Sequence, residues 1–341
     1  MAYGNLALNG SAMKNKIIDN FGRVHNYLRI SLTDNCNLRC FYCMPEEEYA
    51  FTPHARLMQV REIDQLARLF VDHGVTKIRL TGGEPLVRKD APEIIQVLSA
   101  LPVALTMTTN GIRINEMLSQ ITDAGFASIN ISLDTLQRDK FIQITQRDYF
   151  ERVRRNIDLL LDRRVRTKLN VVVMKGVNDD EILDFVALTR LYPVEVRFIE
   201  FMPFNGNRWS SNQVLTLKEI LERIAAVYEI EPIAPKPYDT TKPFAIRGHL
   251  GTIGIISTMT APFCESCNRM RLTADGKLKN CLFSREETDL LSALRNGEDV
   301  LPLMQQGMRA KAKALGGQIV ENFKEIEADS LKNRSMITIG G

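Results

Sequence analysis

The sequence predicts an α/β fold in which parallel strand–helix units form an incomplete barrel, followed by a smaller α+β region. Three observations carry this prediction. β-rich runs alternate six times with amphipathic segments between Tyr27 and Met202, the pattern of βα units feeding a parallel sheet. One face of those runs is polar on every strand. After about Glu231 the alternation stops, punctuated by Pro232, Pro235, Pro237 and Pro243.

In chain order, candidate strands lie at 27–33, 77–81, 103–109, 128–134, 168–173 and 194–202, with helical patterns between them at 60–73, 91–101, 115–124, 149–163 and 180–191. Gly74 and Gly125 fall where helix C-caps are expected. Alternate residues of a strand share a face. One face carries Arg29, Ser31 and Thr33, Arg79 and Thr81, Thr106 and Thr108, Asn130, Ser132 and Asp134, Lys168 and Asn170, and Arg197; the other carries Leu28, Ile30, Ile78, Leu80, Leu105, Met107, Ile129, Ile131, Leu169 and Val171. A closed eight-stranded barrel fills its interior with bulky apolar layers, and a sheet buried on both sides is apolar on both. A polar inner face predicts instead a splayed, open barrel around a polar ligand; the competing reading is a half-exposed sheet. The expected divisions are a flexible N-terminal tail over 1–20, the barrel over 21–231, a C-terminal α+β domain over 232–330 and a tail over 331–341. The C-terminal domain holds a strand candidate at 252–258, a hairpin and two helical segments.

Composition narrows the function. The 341 residues are 45% hydrophobic and 25% charged, which is ordinary globular composition with material for a sizeable core. Lys and Arg number 44 against 41 acidic residues, a net charge of +3, so no polycation signature of nucleic-acid binding exists and an anion must be met by a few placed cations. No stretch approaches the roughly 20 apolar residues that cross a bilayer, and no signal-peptide pattern opens the chain. The cytoplasm is the expectation. The six cysteines fall in two groups of three, at 36, 40, 43 and at 264, 267, 281, which points to metal sites in a reducing compartment and away from a disulfide scaffold.

The first group, Cys36-x3-Cys40-x2-Cys43, follows the first strand directly. A [4Fe–4S] cluster ordinarily takes four cysteines, so three leave one iron open, and an open position is where chemistry happens. Structural zinc would need a fourth Cys or His, and the nearest, His54, fits no standard spacing. The second group, Cys264-x2-Cys267 and then Cys281, also offers three thiolates, with zinc as its alternative. Asp275-Gly276 between them predicts a two-residue hairpin turn, folding Cys281 back to face roughly Met270, near Cys267. In that register Cys281 does not share a face with Arg269 and Arg271; either a bulge shifts the register or these arginines reach substrate from the other side.

The Cys-x3-Cys-x2-Cys loop resembles that of the radical S-adenosylmethionine (SAM) enzymes, and Thr81-Gly82-Gly83-Glu84-Pro85 resembles their second signature. That likeness implies a partial (βα)6 barrel with a smaller C-terminal α+β domain carrying an auxiliary iron–sulfur cluster. Both triads together resemble the GTP 3′,8-cyclase family of molybdenum cofactor biosynthesis (the MoaA family) from about residue 14 to 341, and the final Gly340-Gly341 is similar to that family's double-glycine C-terminus.

The resemblance implies two [4Fe–4S] clusters, one on Cys36, Cys40 and Cys43 that works with SAM, the other on Cys264, Cys267 and Cys281 that anchors guanine. It implies SAM at Tyr42, Gly83, Ser132 and Met202, and GTP at Arg29, Arg79, Thr108, Lys168, Arg269, Met270 and Arg271. The implied activity is a lyase reaction, the first step of the pathway. A 5′-deoxyadenosyl radical removes the ribose 3′ hydrogen of GTP, whose carbon radical attacks C8 to give 3′,8-cyclo-7,8-dihydro-GTP, with no catalytic side chain. Implied partners are GTP, an electron donor and a downstream pyranopterin-forming enzyme, with no nucleic acid or membrane and with a homodimer compatible. One departure is Asn35, where many relatives carry arginine before the first cysteine. No Gly-x4-Gly-Lys-[Ser/Thr] occurs, which suits a nucleotide used as substrate rather than a motor's fuel. Two rival readings are a radical SAM peptide-maturing enzyme with auxiliary clusters, which typically shows a larger C-terminal cysteine set, and a non-catalytic nucleotide-binding metal-cluster sensor.

Overall fold

Strands with one polar and one apolar face need helices on the apolar side only, and the chain supplies them. The computed structural model describes residues 16–44, 49–320 and 322–340. The chain order begins β1 (Tyr27–Ser31), α1 (Val60–Asp72), β2 (Lys77–Thr81), α2 (Ala91–Ser99), β3 (Ala104–Thr109), α3 (Leu118–Asp123) and β4 (Ser128–Ser132). It continues α4 (Arg138–Thr145), α5 (Phe150–Asp162), β5 (Thr167–Val173), α6 (Ile182–Leu191), β6 (Glu195–Glu200), α7 (Leu217–Ala225), β7 (Ile230–Pro232), β8 (Lys242–Ile246) and β9 (Thr252–Ile256). Last come β10 (Arg269–Leu272), β11 (Lys277–Lys279), β12 (Thr288–Asp289), α8 (Leu290–Arg295), α9 (Val300–Arg309) and α10 (Met336–Ile339).

These strands form one sheet, ordered β12-β11-β10-β1-β2-β3-β4-β5-β6-β9-β8-β7. β1 to β6 lie in chain order and parallel, the arrangement successive βα crossovers dictate. β10 adds parallel to β1 and β9 parallel to β6, so the parallel run among the described residues is longer than the six expected strands. Antiparallel hairpins continue outward at both ends, leaving β12 and β7 as edges; the barrel is open.

The apolar face is the core. Leu28, Ile30, Ile78, Leu80, Met107, Ile129, Ile131, Val171, Phe198 and Ile253 are all buried in a single cluster with the helices. α1 shows why a helix forms there. Ile63, Leu66, Ala67 and Phe70 recur at i, i+3, i+4 and i+7 and are buried, and Gln59 N donates to Glu62 Oε2 at 2.7 Å to cap its start. α7 repeats the device, with Glu219 N donating to Thr216 Oγ1 at 3.2 Å and Thr216 N donating to Glu219 Oε2 at 2.8 Å. No helix among the described residues is long and apolar enough to cross a membrane.

Two expected divisions are corrected. The flexible N-terminal tail does not extend to residue 20: Ile17 and Asp19 are buried, and Ile17 N donates to His73 O at 3.3 Å while His25 N returns to Ile17 O at 2.8 Å. Residues 1–15 lie outside the described residues. The strands of the C-terminal region extend both ends of the barrel sheet, so one sheet runs through both expected divisions. The segment from 331 is not a loose tail either: Leu331, Ile337 and Ile339 are buried and Gly340 packs at the barrel interior, its carbonyl accepting from Arg271 NH1 at 2.9 Å. Gly341 lies outside the described residues.

Candidate active site

The polar face lines a cavity of about 380 Å³ to which both cysteine triads contribute. Register fixes where each triad enters. Cys36 follows the C-terminal end of β1, whereas Cys267 precedes the first residue of β10, which pairs with Tyr27 at the start of β1. The triads therefore stand at opposite ends of parallel strands. Five residues of β1 at about 3.3 Å each set a span of roughly 15 Å between them, room for one nucleotide.

Around the first triad, the turn after β2 is packed against the cysteine loop. Gly83 N donates to Thr33 O at 2.7 Å and Glu84 N to Asn35 O at 2.9 Å. A Cβ on Gly83 would lie 2.5 Å from Asn35 O and 2.6 Å from Asp34 O, so the glycine permits the approach of two backbones. Gly83→Ala is expected to destabilise the fold by about 1–3 kcal/mol and to lower iron retention at this triad, as read by thermal melting and iron content. Glu84 is buried and accepts from Thr109 Oγ1 at 2.8 Å, Asn110 N at 2.7 Å and Leu86 N at 3.1 Å; burial pushes its carboxyl up to about 7. Asn110 in turn donates to Asn37 Oδ1 at 2.7 Å and reaches Cys36 Sγ at 3.8 Å. Tyr42 donates to Asp134 Oδ2 at 2.5 Å, and Asp134 Oδ1 accepts from Val172 N at 2.9 Å. Tyr42, Gly83, Ser132 and Met202 all line this end of the cavity.

The second triad settles the register question. β10 and β11 pair Arg271 with Lys279 and Leu272 with Leu278, one residue away from the two-residue turn expected from sequence. The turn instead encloses Ala274, Asp275 and Gly276, with Gly276 at φ +69° and Gly276 N donating to Thr273 O at 2.9 Å. A one-residue slip exchanges faces, so Cys281 faces the cavity beside Arg269 and Arg271. Met270 is corrected by the pairing of β10 with β1: it stands opposite Leu28, its side chain is buried in the core on the outer face, and it does not line the cavity.

Both triads fit iron–sulfur ligation. All six cysteines are partly exposed free thiols. A cubane takes one thiolate per iron, so three thiols can hold three of its four irons. Burial first, then the charge of Glu84, pushes Cys36 up to about 11. Burial and neighbouring Cys43 and Asp134 push Cys40 well up, and burial with Cys36 and Asp134 raises Cys43. Bound iron would supply the positive charge that thiolates need there. Around the second triad, burial works against the Cys267 thiolate but Lys311 and Arg269 hold its thiol below the usual range.

Between the triads lie two rows of largely basic residues set by strand register. Arg269, Tyr27 and Lys77 pair across β10, β1 and β2, and Arg271, Arg29 and Arg79 pair one step further along. Neighbouring strands are about 4.8 Å apart, so the guanidiniums of Arg271, Arg29 and Arg79 sit side by side. Burial and Arg271 hold Arg29 well below its usual range, and burial and Arg269 bring Arg271 to about 10. Such a row is stable facing an anion with several oxygens. Arg79 Nε donates to the Tyr27 hydroxyl, and its NH1 donates to Thr108 Oγ1 at 3.1 Å. Further round, Lys168 and Arg197 both donate to Glu195, at 2.6 and 2.5 Å. Arg29, Arg79, Thr108, Lys168, Arg269 and Arg271 thus converge on one cavity.

Tyr27, Lys77 and Glu195 were not singled out from sequence. Tyr27 and Lys77 sit two residues before Arg29 and Arg79 on the same face, which is the signal that points to them. Burial opposes ionisation of Tyr27, but Arg79, Arg29, Arg269 and Lys77 together bring its phenol down to about 6. Only the unfolded chain still holds this proton between about pH 6 and 10, so Tyr27 adds stability as pH rises across that window and loses it as pH falls through 6. In substrate-free protein one of the eight tyrosines is expected to give phenolate absorbance near 295 nm titrating near pH 6. Tyr27→Phe removes that band, and inorganic tripolyphosphate moves it upward.

The parallel open barrel, the three-thiol loop after its first strand and the Gly-Gly-Glu-Pro turn define a radical SAM protein, a class that works with SAM and an iron–sulfur cluster. The model described as the radical SAM superfamily matches residues 30–189, and the one described as Molybdenum Cofactor Synthesis C matches residues 194–315. The chain belongs to the family of the GTP 3′,8-cyclases and molybdenum cofactor biosynthesis protein 1. It is 45% identical to the mitochondrial GTP 3′,8-cyclase of Arabidopsis thaliana, covering 95% of this chain and 83% of that protein. It is 46% identical to molybdenum cofactor biosynthesis protein 1 of Drosophila melanogaster, covering 87% of this chain and 54% of that protein. The chain thus spans about half the length of that fly relative. Streptococcus suis SuiB, solved bound to S-adenosylmethionine, shares the fold with a TM-score of 0.62 at 14% identity, covering 85% of this chain and 69% of SuiB.

Proposed function

We propose that this chain converts GTP to 3′,8-cyclo-7,8-dihydro-GTP, the first step of molybdenum cofactor biosynthesis. The observation that carries the reading is a single cavity with a three-thiol site at each end and two rows of largely basic residues between them. Cys36, Cys40 and Cys43 hold one [4Fe–4S] cluster, with SAM beside Tyr42, Gly83, Ser132 and Met202; Cys264, Cys267 and Cys281 hold a second. When bound, the first cluster and SAM supply the radical that takes hydrogen from C3′ of the ribose.

The chain's own side chains bind and orient. Arg29, Arg79, Arg269 and Arg271 take the triphosphate oxygens by charge-assisted hydrogen bonds, and Lys77 and Lys168 add charge nearby. Tyr27 fixes the Arg79 guanidinium before substrate arrives, so less ordering remains at the moment of binding. Gly340, with its carbonyl on Arg271, closes the cavity beside β1 and β2, where a Cβ would lie 2.7 Å from Ser31 Cβ. Enclosure keeps water from a reactive intermediate. An electron donor and a downstream pyranopterin-forming enzyme are the partners this chemistry needs, and the cytoplasm is the proposed compartment.

Anaerobic reconstitution followed by mass spectrometry on GTP, SAM and dithionite tests the assignment. Roughly eight irons per chain and a cyclised nucleotide are expected. SAM cleavage with GTP left unchanged contradicts the substrate, and bound zinc contradicts the clusters.

A further inference from the structure

The segment from Lys311 to Leu315, which follows α9, lies as a strap along the second triad. Leu315 N donates to Cys264 Sγ at 3.3 Å. Lys311 is only 4% exposed; its Nζ donates to Arg269 O at 3.0 Å and reaches Cys267 Sγ at 3.6 Å. The strap is clamped from behind by Arg23. That guanidinium, tied to Asp19 at 2.6 Å, donates to the carbonyls of Cys264 and Lys313, each at 2.7 Å, and of Ala312 at 3.0 Å. Lys311 is thus held in place rather than free to reach solvent.

A buried ammonium is costly unless negative charge faces it. Lys311 makes no ion pair with a carboxylate among the described residues, and its two acceptors are a carbonyl and the Cys267 sulfur. The first triad has a different setting. Cys36 Sγ accepts only from neutral donors, Leu38 N at 3.4 Å and Asn110 Nδ2 at 3.8 Å, and two buried carboxylates adjoin this triad, Glu84 bonded to Asn110 N and Asp134 bonded to Tyr42. At the first triad the neighbouring cation, Arg39, donates to the Cys36 carbonyl at 2.5 Å, whereas at the second a buried ammonium reaches a thiol sulfur directly.

We infer that Lys311 sets the reduction potential of the second cluster through a charge-assisted hydrogen bond from its ammonium to Cys267 Sγ. The inference rests on the two-cluster reading above. Uptake of one electron by [4Fe–4S]²⁺ gives [4Fe–4S]⁺ and adds one negative charge to the cluster and its thiolates, which the fixed ammonium stabilises. Hydrogen bonds to cluster sulfurs and nearby charge are recognised levers on potential. Lys311 touches neither substrate nor reacting atoms in this account; it is a positioning and tuning residue.

The test is a dithionite-driven potentiometric titration of the reconstituted full chain, followed by electron paramagnetic resonance. A Cys36→Ala/Cys40→Ala/Cys43→Ala background assigns the second cluster's signal. Iron content of the parent comes first: four irons in place of eight overturns the two-cluster reading itself, and this inference with it. With eight present, Lys311→Gln, which keeps a donor but removes the charge, is expected to lower the reduced fraction of the second cluster about tenfold at fixed potential, a downward shift of about 59 mV for one electron. Lys311→Arg holds the parent's value, and the first cluster stays unchanged in both variants. A Lys311→Gln chain with full iron and the parent's potential overturns the inference. Cluster loss in Lys311→Gln with retention in Lys311→Arg supports the charge role, whereas loss in both variants overturns it in favour of a structural role.

Discussion

Cys40→Ala is expected to abolish SAM cleavage and nucleotide cyclisation together, whereas Cys267→Ala is expected to leave SAM cleavage measurable and remove the cyclised product. The division follows from where the triads stand. Cys40 lies past the C-terminal end of β1 with Tyr42 and Gly83 around it, and Cys267 lies at the opposite end beside Arg269. Loss of a ligand's outer partner alone costs roughly 10–100-fold, so loss of a ligand itself is expected to cost on the order of 10³-fold or more in the affected step. Quantifying 5′-deoxyadenosine and cyclised nucleotide in the same reaction separates the two. Equal loss of both products in the two variants contradicts the separate roles.

Arg271→Ala is expected to lower kcat/KM for GTP by on the order of 10²–10³-fold. Arg271 is central to the argument because it joins three features: it stands in register with Arg29 and Arg79, it holds Gly340 O, and its strand carries the second triad's side of the cavity. A hydrogen bond to a charged group contributes about 1.5–3 kcal/mol, and a bidentate guanidinium makes two. The loss falls mainly on KM, and discrimination between GTP, GDP and GMP narrows with it. Arg271→Lys recovers only part, because a point charge cannot reproduce the planar fork. Arg29→Ala behaves alike, and the double variant is not additive, since the two side chains are adjacent on paired strands. An Arg271→Ala enzyme with unchanged KM contradicts the triphosphate role of the row.

Much of this site was legible because a strand's two faces can be read from alternate residues. Arg29, Arg79, Thr108 and Lys168 share the polar face in sequence and share the cavity in the fold. What stayed hidden depends on single residues of register or on distant pairing. Gly276 at φ +69° allows a three-residue turn in place of the two-residue one, and that one step moves Cys281 to the arginine face. Nothing local in 269–272 announces that this strand pairs with β1 rather than belonging to a separate domain; that contact joins residues far apart in the chain. Lys311 is hidden for the same reason, since its meaning comes only from the sulfur it reaches.

The most direct measurement of the central claim uses GTP carrying deuterium at ribose C3′. If the cavity holds GTP between SAM and the second triad as the cation rows imply, the 5′-deoxyadenosine formed gains one deuterium and the cyclised nucleotide loses it. Unlabelled 5′-deoxyadenosine alongside cyclised product contradicts hydrogen abstraction from C3′, and with it the placement of the ribose that the account requires.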